Sequence, residues 1–216
     1  MKTLQYLNKI RATKLPVLST QTVASLLDTS ITNASQWLTR TAREKHVVKL
    51  KHGLWLIQPD TDPLSIAKYL TTPFPNYISL QTAMYFHEMI LQIPDVIYLI
   101  SLARTTVHKT PIASYSIHHV QPNYFMGFET LPQSDIFMAT PEKALLDFCY
   151  LFPARSKLFH TLPELFLPSH FSQDTLQQLI TQLPTDYRHT MLKERLATFG
   201  INIDPDSSPR QPACSN

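Results

Sequence analysis

The order of helix-like and strand-like patterns in the first 57 residues restricts the fold more than any other feature of this sequence. Apolar residues recur at helical spacing in three segments: residues 3–12, a short segment from position 19 or 20 to 27, and residues 32–45. Two strand-like runs follow, at 47–50 and 54–57, and the turn 51–53 joins them. This order predicts a winged helix-turn-helix, whose second motif helix lies in the major groove of DNA and whose hairpin forms the wing.

The charge of the chain is concentrated in the same segment. Residues 1–57 hold nine Lys and Arg residues against two Asp and Glu residues, whereas the rest of the chain holds ten basic and fourteen acidic residues. Such an imbalance indicates a module that binds a polyanion, joined to a neutral or acidic partner domain. Two alternatives stay open at this point: chance clustering on a solvated face, and a winged helix that binds another protein.

The third helix of the pattern has two faces of different chemistry. Ile31, Ala34, Leu38 and Ala42 are expected to face inward, and no acidic residue interrupts the opposite face before Glu44. The outward side chains are short polar groups and arginines, which suit base edges and phosphate oxygens. With the start of the preceding helix and the hairpin tip, the predicted DNA-binding residues are Thr20, Gln21, Asn33, Ser35, Gln36, Thr39, Arg40, Arg43, Lys49, Lys51 and His52.

Within this set, the side-chain types predict different contacts. We expect Arg40 and Arg43 to contact phosphates or bases, and Ser35 and Gln36 to contact base edges. Lys49 and Lys51 are expected to meet the DNA through the wing. The two tryptophans, at positions 37 and 55, are expected to pack in the core or between helix and wing.

The predicted domain organisation is α+β. A winged helix-turn-helix domain covers residues 1–58, a larger α+β domain covers 63–203, and residues 204–216, which are rich in Pro and Ser, form a disordered tail. Residues 58–63 are polar, contain two prolines and read as the linker. In the larger domain, helices are predicted from position 62 or 65 to 70, over 79–90, 140–151, 172–183 and 186–199, and strands over 96–102, 112–120 and 136–139.

Most catalytic chemistry is disfavoured by the residues present. With three glycines in 216 residues, the chain has no P-loop and no GxGxxG motif. His87 and Glu88 begin an HExxH-like motif, but Leu91 occupies its fifth position. Glu142 and Asp147 read as cap and surface charges. We therefore predict a protein that is not an enzyme and that has no catalytic residues, cofactor or metal site.

Targeting signals are also missing from the sequence pattern. The start, MKTLQYLNKIRATK, is charged throughout, and no apolar run approaches the roughly twenty residues of a membrane span. Cys149 and Cys214 suggest neither a disulfide framework nor a zinc site. We therefore expect a cytoplasmic protein without a membrane partner.

Three segments that follow the predicted linker resemble a known family. The segments YISLQTAMYFHEMI (77–90), Gln-Ile-Pro (92–94) and ATPEKALLDFCYL (139–151) are similar to the AbiEi family, which comprises antitoxins of type IV toxin–antitoxin systems and related transcriptional regulators. The matching positions are Ser79, Ala83, Tyr85, His87, His118, Phe125 and 141–147. One position departs, because Glu88 stands where the family commonly has glycine.

The resemblance implies a function. Proteins of this family carry an N-terminal winged helix-turn-helix, bind inverted repeats in their own promoter and repress it, and counteract a nucleotidyltransferase-like toxin without a stable complex. We therefore expect a repressor of its own operon that acts as an antitoxin and pairs as a dimer on double-stranded DNA. The alternative is a regulator whose second domain senses a ligand or protein unrelated to a toxin. The Pro-Glu-Lys-Ala block is either a structural signature or part of an active site.

Overall fold

The computed structural model describes residues 2–151, 164–183 and 186–202, and within these ranges the chain is a mixed α+β protein. Eight α-helices and two β-sheets, of three and six strands, lie in the described residues. The α+β class predicted from the sequence is therefore confirmed. The tail predicted to be disordered, residues 204–216, lies outside the described residues.

The first part of the chain has three helices around a small antiparallel sheet. Its elements are α1 (Lys2–Arg11), β1 (Val17–Ser19), α2 (Thr20–Leu26), α3 (Ile31–Arg43), β2 (Val48–Lys51) and β3 (Leu54–Leu56), with strand order β1-β3-β2. Serine hydroxyls begin two of the helices: Ser19 accepts a hydrogen bond from the amide of Thr22, and Ser30 accepts one from Asn33. Every predicted helix and strand of this part is present, with ends shifted by one or two residues.

The inward face of α3 differs from the predicted stripe. Ala34 and Leu38 are buried as expected, but Ile31 is 58% exposed. Trp37 and Thr41 occupy the buried face instead, and Trp37 packs edge-on against Tyr6 of α1 with ring centroids 5.6 Å apart. Ile31 is the first residue of the helix, so its side chain projects before the helix reaches the core formed with α1 and α2.

The second part is built on a six-stranded mixed sheet. Its elements are α4 (Pro63–Leu70), β4 (Asn76–Ile78), α5 (Leu80–Phe86), β5 (Val96–Ser101), β6 (Thr106–Lys109), β7 (Ser114–His119), a 3₁₀ turn (Pro122–Tyr124), β8 (Phe128–Thr130), β9 (Phe137–Ala139), α6 (Pro141–Leu151), α7 (Gln173–Thr181) and α8 (Asp186–Ala197). The strand order is β6-β7-β5-β4-β9-β8, and the pairs β5–β7 and β4–β9 are parallel. Helix α6 is buried from Pro141 to Cys149 and forms the centre of this core.

Helix α5 ends earlier than the sequence pattern predicts. The pattern extends to Ile90, but the helix stops at Phe86, and Glu88 has a φ of +59°. The amide of Met89 then donates to the carbonyl of Met84 at 2.8 Å, which closes a Schellman-type end. Glycine is favoured at such a left-handed position. Glu88, which stands where the resembled family commonly has glycine, therefore occupies a position whose backbone conformation favours glycine.

Apolar packing continues across the boundary between the two parts. Leu50 and Leu56 of the hairpin belong to the same buried cluster as Ile66 and Leu70 of α4. A second, separate cluster lies among α1, α2, α3 and the other face of the small sheet. The small sheet is thus sandwiched between its own helices and the core of the second part.

Candidate nucleic-acid interface

The outer face of α3 carries most of the residues predicted from the sequence. Asn33, Gln36, Thr39, Arg40 and Arg43 are exposed on it, and Ser35 is half-buried. This placement follows from the burial of Ala34, Trp37, Leu38 and Thr41, which turns the remaining positions of the helix toward solvent. The structure therefore gathers six of the eleven predicted residues on one helical surface.

The cations of α3 have no counter-ion within the described residues. The nearest acid in sequence, Glu44, lies 3.8 Å from the Nε2 of His46, and the other ion pairs described are in the second part of the chain. Arg40 and Arg43 stand in the last turn of α3, and each is exposed. Their guanidinium groups are therefore open to an external anion such as a phosphate.

Two of the polar side chains on α3 already make local hydrogen bonds. The hydroxyl of Thr39 donates to the carbonyl of Ser35 at 2.8 Å, and the amide nitrogen of Asn33 is 3.5 Å from the hydroxyl of Thr29. The Thr39 oxygen keeps its acceptor capacity, and the Asn33 contact is long and weak. The side chain of Gln36 makes no hydrogen bond within the part of the chain that the structure describes, so its amide can bond to an external group.

The two DNA-binding residues predicted at the start of α2 differ in exposure. Gln21 is exposed in the first turn. Thr20 is only 8% exposed, and its hydroxyl oxygen accepts a 2.9 Å hydrogen bond from the indole nitrogen of Trp55. The Thr20 side chain therefore connects helix and hairpin, and Trp55 is buried between them, as expected for a packing tryptophan.

The two lysines predicted on the hairpin also differ in exposure. Lys49 is exposed, with its Nζ 5.6 Å from the centre of the Trp55 ring, and His52 is exposed at the turn. Lys51 is half-buried, and its Nζ donates to the carbonyl of Leu70 at 2.6 Å. Burial lowers the pKa of Lys51. Of the predicted wing cations, Lys49 faces solvent, whereas Lys51 faces the second part of the chain.

The first part of the chain exposes further cations that the sequence analysis did not include among the DNA-binding residues. Lys9, Arg11 and Lys14 lie on or just after α1, and Lys45 follows α3. Arg11 donates to the carbonyl of His46 at 3.3 Å, which places the end of α1 beside the end of α3. The excess of basic residues was visible in the sequence, but the contact that brings α1 to this edge joins residues 35 positions apart.

The second part contains a buried ion pair surrounded by hydroxyl groups. On α6, Lys143 Nζ lies 2.8 Å from Asp147 Oδ1, and both side chains are 0% exposed. The other carboxylate oxygen accepts hydrogen bonds from the hydroxyls of Ser79, at 2.6 Å, and Tyr77, at 3.1 Å. Ser79 begins α5 by position, but its hydroxyl is directed to Asp147 rather than to the helix.

Lys143 has two further contacts with Tyr124. Its Nζ donates to the carbonyl of Tyr124 at 3.2 Å and lies 3.5 Å from the centre of the Tyr124 ring. Gly127, with a φ of +74°, passes so close that a Cβ there would be 3.0 Å from Cγ of Lys143. Burial lowers the pKa of Lys143, an effect that Asp147 opposes, and burial raises the pKa of Tyr77 and of Tyr124.

The prediction that Glu142 and Asp147 are cap and surface charges at the start of α6 is wrong, because both side chains are buried. Glu142 Oε1 accepts a 2.8 Å hydrogen bond from the amide of Ser172, the N-cap residue of a different helix, α7. The predicted cap of α6 is confirmed, since the Thr140 hydroxyl accepts from the amide of Lys143. Since the Lys143–Asp147 pair is closed to solvent, it is arranged to fix α5, α6 and the 3₁₀ turn to one another.

An apolar pocket of about 260 Å³ lies elsewhere in the second part. Its rim includes Phe86 and Ile93, and the latter is 74% exposed. The lining residues are Leu64, Thr82, Tyr85, Phe86, Ile93, Pro94, Val96, Ile97 and Met138. The pocket has the chemistry for a small apolar group, with the Thr82 hydroxyl already engaged by the carbonyl of Val96.

Two further findings bear on function. Among the described residues, no three His, Cys, Asp or Glu side chains are grouped as metal ligands, and no described helix is long and apolar enough to cross a membrane. Neither the protein-family models nor the curated proteins contain a match to this chain. The resemblance to the AbiEi family therefore rests on its motif residues alone.

Proposed function

We propose that residues 1–58 form a winged helix-turn-helix that binds double-stranded DNA, and that the protein represses the operon that encodes it. The observation that carries this proposal is the outer face of α3, where Arg40 and Arg43 are exposed without a counter-ion in the described residues beside polar side chains suited to base edges. Lys49 on the hairpin adds a cation where a wing contacts the phosphate backbone. Gln21, Gln36 and His52 complete the proposed contacts.

The test is a titration of the full chain against its own upstream DNA and a scrambled duplex, at two salt concentrations. We expect tight, sequence-selective binding that weakens as salt rises, because each neutralised phosphate releases a counter-ion. The double variant Arg40→Gln/Arg43→Gln is expected to reduce the slope of log affinity against log salt by about 0.9 for each phosphate that is no longer neutralised.

A matched control is available in the second part of the chain. Arg104→Gln/Lys193→Gln removes the same charge from the loop that follows β5 and from α8, where Arg104 is exposed and Lys193 is half-buried. We expect it to change affinity little at 0.15 M salt, where charges farther apart than about 8 Å are largely screened. Equal losses from both double variants would indicate a general charge effect and would remove α3 from the interface. Binding without sequence preference would reduce the proposal to a non-specific polyanion-binding module.

We propose further that two copies bind one operator. A helix-turn-helix reads a short half-site, and inverted repeats match the two-fold symmetry of a protein pair. The stoichiometry of the complex with a full and a half operator, measured by sedimentation, tests this. One copy on the full operator would contradict it.

The antitoxin role is proposed from the resemblance carried by 77–90 and 139–151. The test is growth of a host that expresses the neighbouring reading frame, if that frame encodes a nucleotidyltransferase-like protein, with and without this chain. Both genes are placed under unrelated promoters so that repression plays no part. We expect growth to be restored, and restored equally by the Arg40→Gln/Arg43→Gln variant, because neutralisation is assigned to the second part. A neighbouring gene of another class, or unrelieved toxicity, would remove the antitoxin role.

One observation favours a second candidate, a regulator that senses a small ligand. The apolar pocket beneath Phe86 and Ile93 holds about 260 Å³ and is slightly smaller than the usual range of ligand sites, which begins near 300 Å³. A single-ring aromatic molecule such as indole is a suitable probe. If indole raises the melting temperature and changes DNA affinity, and Ile93→Lys abolishes both effects, the sensing role is supported. Absence of both effects would reject that role for this pocket.

A further inference from the structure

Lys49 and Lys51 are two positions apart on β2 but leave the hairpin in different directions. In a regular strand, residues two apart point to the same face. Here Lys49 pairs with Trp55 and Lys51 with Leu54, so β2 contains one extra residue between these pairs. A one-residue bulge of this kind redirects the side chains that follow it. As a result, Lys49 faces solvent and Lys51 faces α4.

The ammonium group of Lys51 is engaged at the end of α4. It donates to the carbonyl of Leu70, the last residue of that helix, at 2.6 Å. A helix leaves its last carbonyls without internal partners and carries partial negative charge at its C-terminus, so a lysine there is favourable on both counts. The contact joins the hairpin to a helix that begins after the predicted linker.

The surroundings of Lys51 extend this attachment. Leu50, its neighbour on β2, is buried in the cluster that includes Leu70, and β2 lies beside the edge strand β6. Burial lowers the pKa of His108 on β6, and the charge of the nearby Lys51 lowers it further. The hairpin is therefore held against the second part by an apolar contact and by a polar contact next to it.

We infer that Lys51 is a positioning residue for nucleic-acid binding: it fixes the hairpin to α4, and so sets where Lys49 and α3 stand relative to the second part of the chain. This inference rests on the proposed function. It also means that the second part can influence DNA binding, because any change that moves the end of α4 moves the hairpin. The Lys51 ammonium group keeps two further N–H donors, so a phosphate contact is the alternative that the experiment separates from positioning.

The experiment compares Lys51→Gln with the matched variant Lys49→Gln in the full chain. DNA affinity is measured across salt concentrations, and amide hydrogen exchange is measured in the free protein. For Lys49→Gln we expect the salt slope to fall by about 0.9 with exchange unchanged. For Lys51→Gln we expect an unchanged slope, an affinity lower by up to about tenfold at every salt concentration, and faster exchange in β2 and β6. Lys51→Arg, which keeps the positive charge and a donor on a side chain long enough to reach the carbonyl, is expected to retain wild-type behaviour.

Three results would overturn the inference. A lower salt slope in Lys51→Gln with unchanged exchange would identify Lys51 as a phosphate contact. Unchanged affinity and unchanged exchange would show that the Leu70 contact does not position the hairpin. A wild-type protein that binds no DNA would reject the proposed function, and with it the role of Lys51 in binding, whereas the first two results leave DNA binding itself intact.

Discussion

The arginines of α3 and the lysine of α6 differ in their surroundings: the arginines are exposed to solvent, whereas the lysine is buried in an ion pair. Arg40 and Arg43 are exposed, and no acidic partner lies beside them in the described residues. Lys143 is fully buried, pairs with Asp147 and meets two groups of Tyr124. An exposed cation costs little and contributes little to stability. A buried one must offset several kcal/mol of lost hydration, which requires every donor to be satisfied.

The difference indicates what each region is for. Charges without internal partners are available to an external anion, so function is most reasonably sought on α3 and the hairpin. The Lys143–Asp147 pair is buried and its contacts join α6 to β4, Ser79 and the 3₁₀ turn, which is the arrangement of a pair that positions elements of the fold. The buried ion pair and its two hydroxyl partners come from the segments that carry the family resemblance. Tyr77 and Ser79 lie in 77–90, and Lys143 and Asp147 lie in 139–151.

Among the tests of this comparison, the variant Lys143→Met is expected to have the largest effect. The variant leaves the Asp147 carboxylate buried without its cation, and we expect the free energy of unfolding to fall by about 3–5 kcal/mol. Urea denaturation of the variant and of the wild type measures the difference. Lys49→Met serves as the control, with a change within about 0.5 kcal/mol for an exposed position. Similar small losses in both would show that burial does not distinguish the two lysines.

The next test concerns sequence reading by α3. Replacing Gln36 by Ala removes an exposed amide without an internal hydrogen bond in the described chain, and we expect a cost of about 1–3 kcal/mol against the preferred operator. Discrimination at one base pair should relax while the unfolding free energy stays nearly unchanged. Competition binding with single-base operator variants checks this. An equal loss on all duplexes would mean that Gln36 contacts the backbone rather than a base.

A third test separates packing from binding at the start of α2. Thr20→Val keeps the shape of the side chain but removes the oxygen that accepts from Trp55, so we expect the unfolding free energy to drop by about 1–3 kcal/mol. Its neighbour Gln21 is exposed, and Gln21→Ala is expected to leave stability within about 0.5 kcal/mol. Both values come from the same denaturation series. A stable Thr20→Val variant that binds DNA poorly would return Thr20 to the interface.

The smallest expected effect is a pH dependence in the second part. Burial lowers the pKa of His118 below its ordinary 6.5, and its ring lies 3.0 Å from the Ser116 hydroxyl. The unfolded chain therefore binds this proton first as pH falls. The contribution of His118 to the free energy of unfolding is fully present above pH 6.5. Below that pH it falls, by at most about 1.4 kcal/mol per pH unit, until the folded protein also takes up the proton.

Unfolding measured between pH 7.5 and 5.5 checks the sign. His118→Gln is expected to flatten the curve below pH 6.5, and His108→Gln to flatten it as well, since burial lowers the pKa of His108 in the same direction. Stability that rises on acidification, or a curve unaffected by His118→Gln, would contradict the burial of a neutral imidazole.

Local signals made much of the fold predictable. Thr140 before Pro141 predicts the start of α6, and Ser19 predicts the start of α2, because capping depends on residues within one turn. The strands β4 and β8 are not predicted, because three residues show no alternation and each run contains a polar residue, unlike the entirely apolar runs of β3 and β9 that are predicted. The end of α5 was missed because the helical pattern continues past Glu88, although the backbone does not.

The candidate site was less predictable where long-range contacts decide the role of a side chain. Gln36 and Arg40 follow from helical periodicity within α3. Thr20, Lys51 and Asp147 do not, since their partners lie 35, 19 and as many as 70 positions away. For such residues, type and spacing indicate chemical capacity, and only the tertiary fold indicates the partner.

The bulge in β2 makes the surface charge of the hairpin depend on strand length. One additional residue in β3, between Leu54 and Trp55, would pair with Leu50 and restore the regular alternation. Lys49 and Lys51 would then share a face, and the hairpin would present two cations to solvent without any change in either lysine. An insertion or deletion of one residue is thus equivalent here to a charge mutation, which makes hairpin length a variable that alters how many cations such a module exposes.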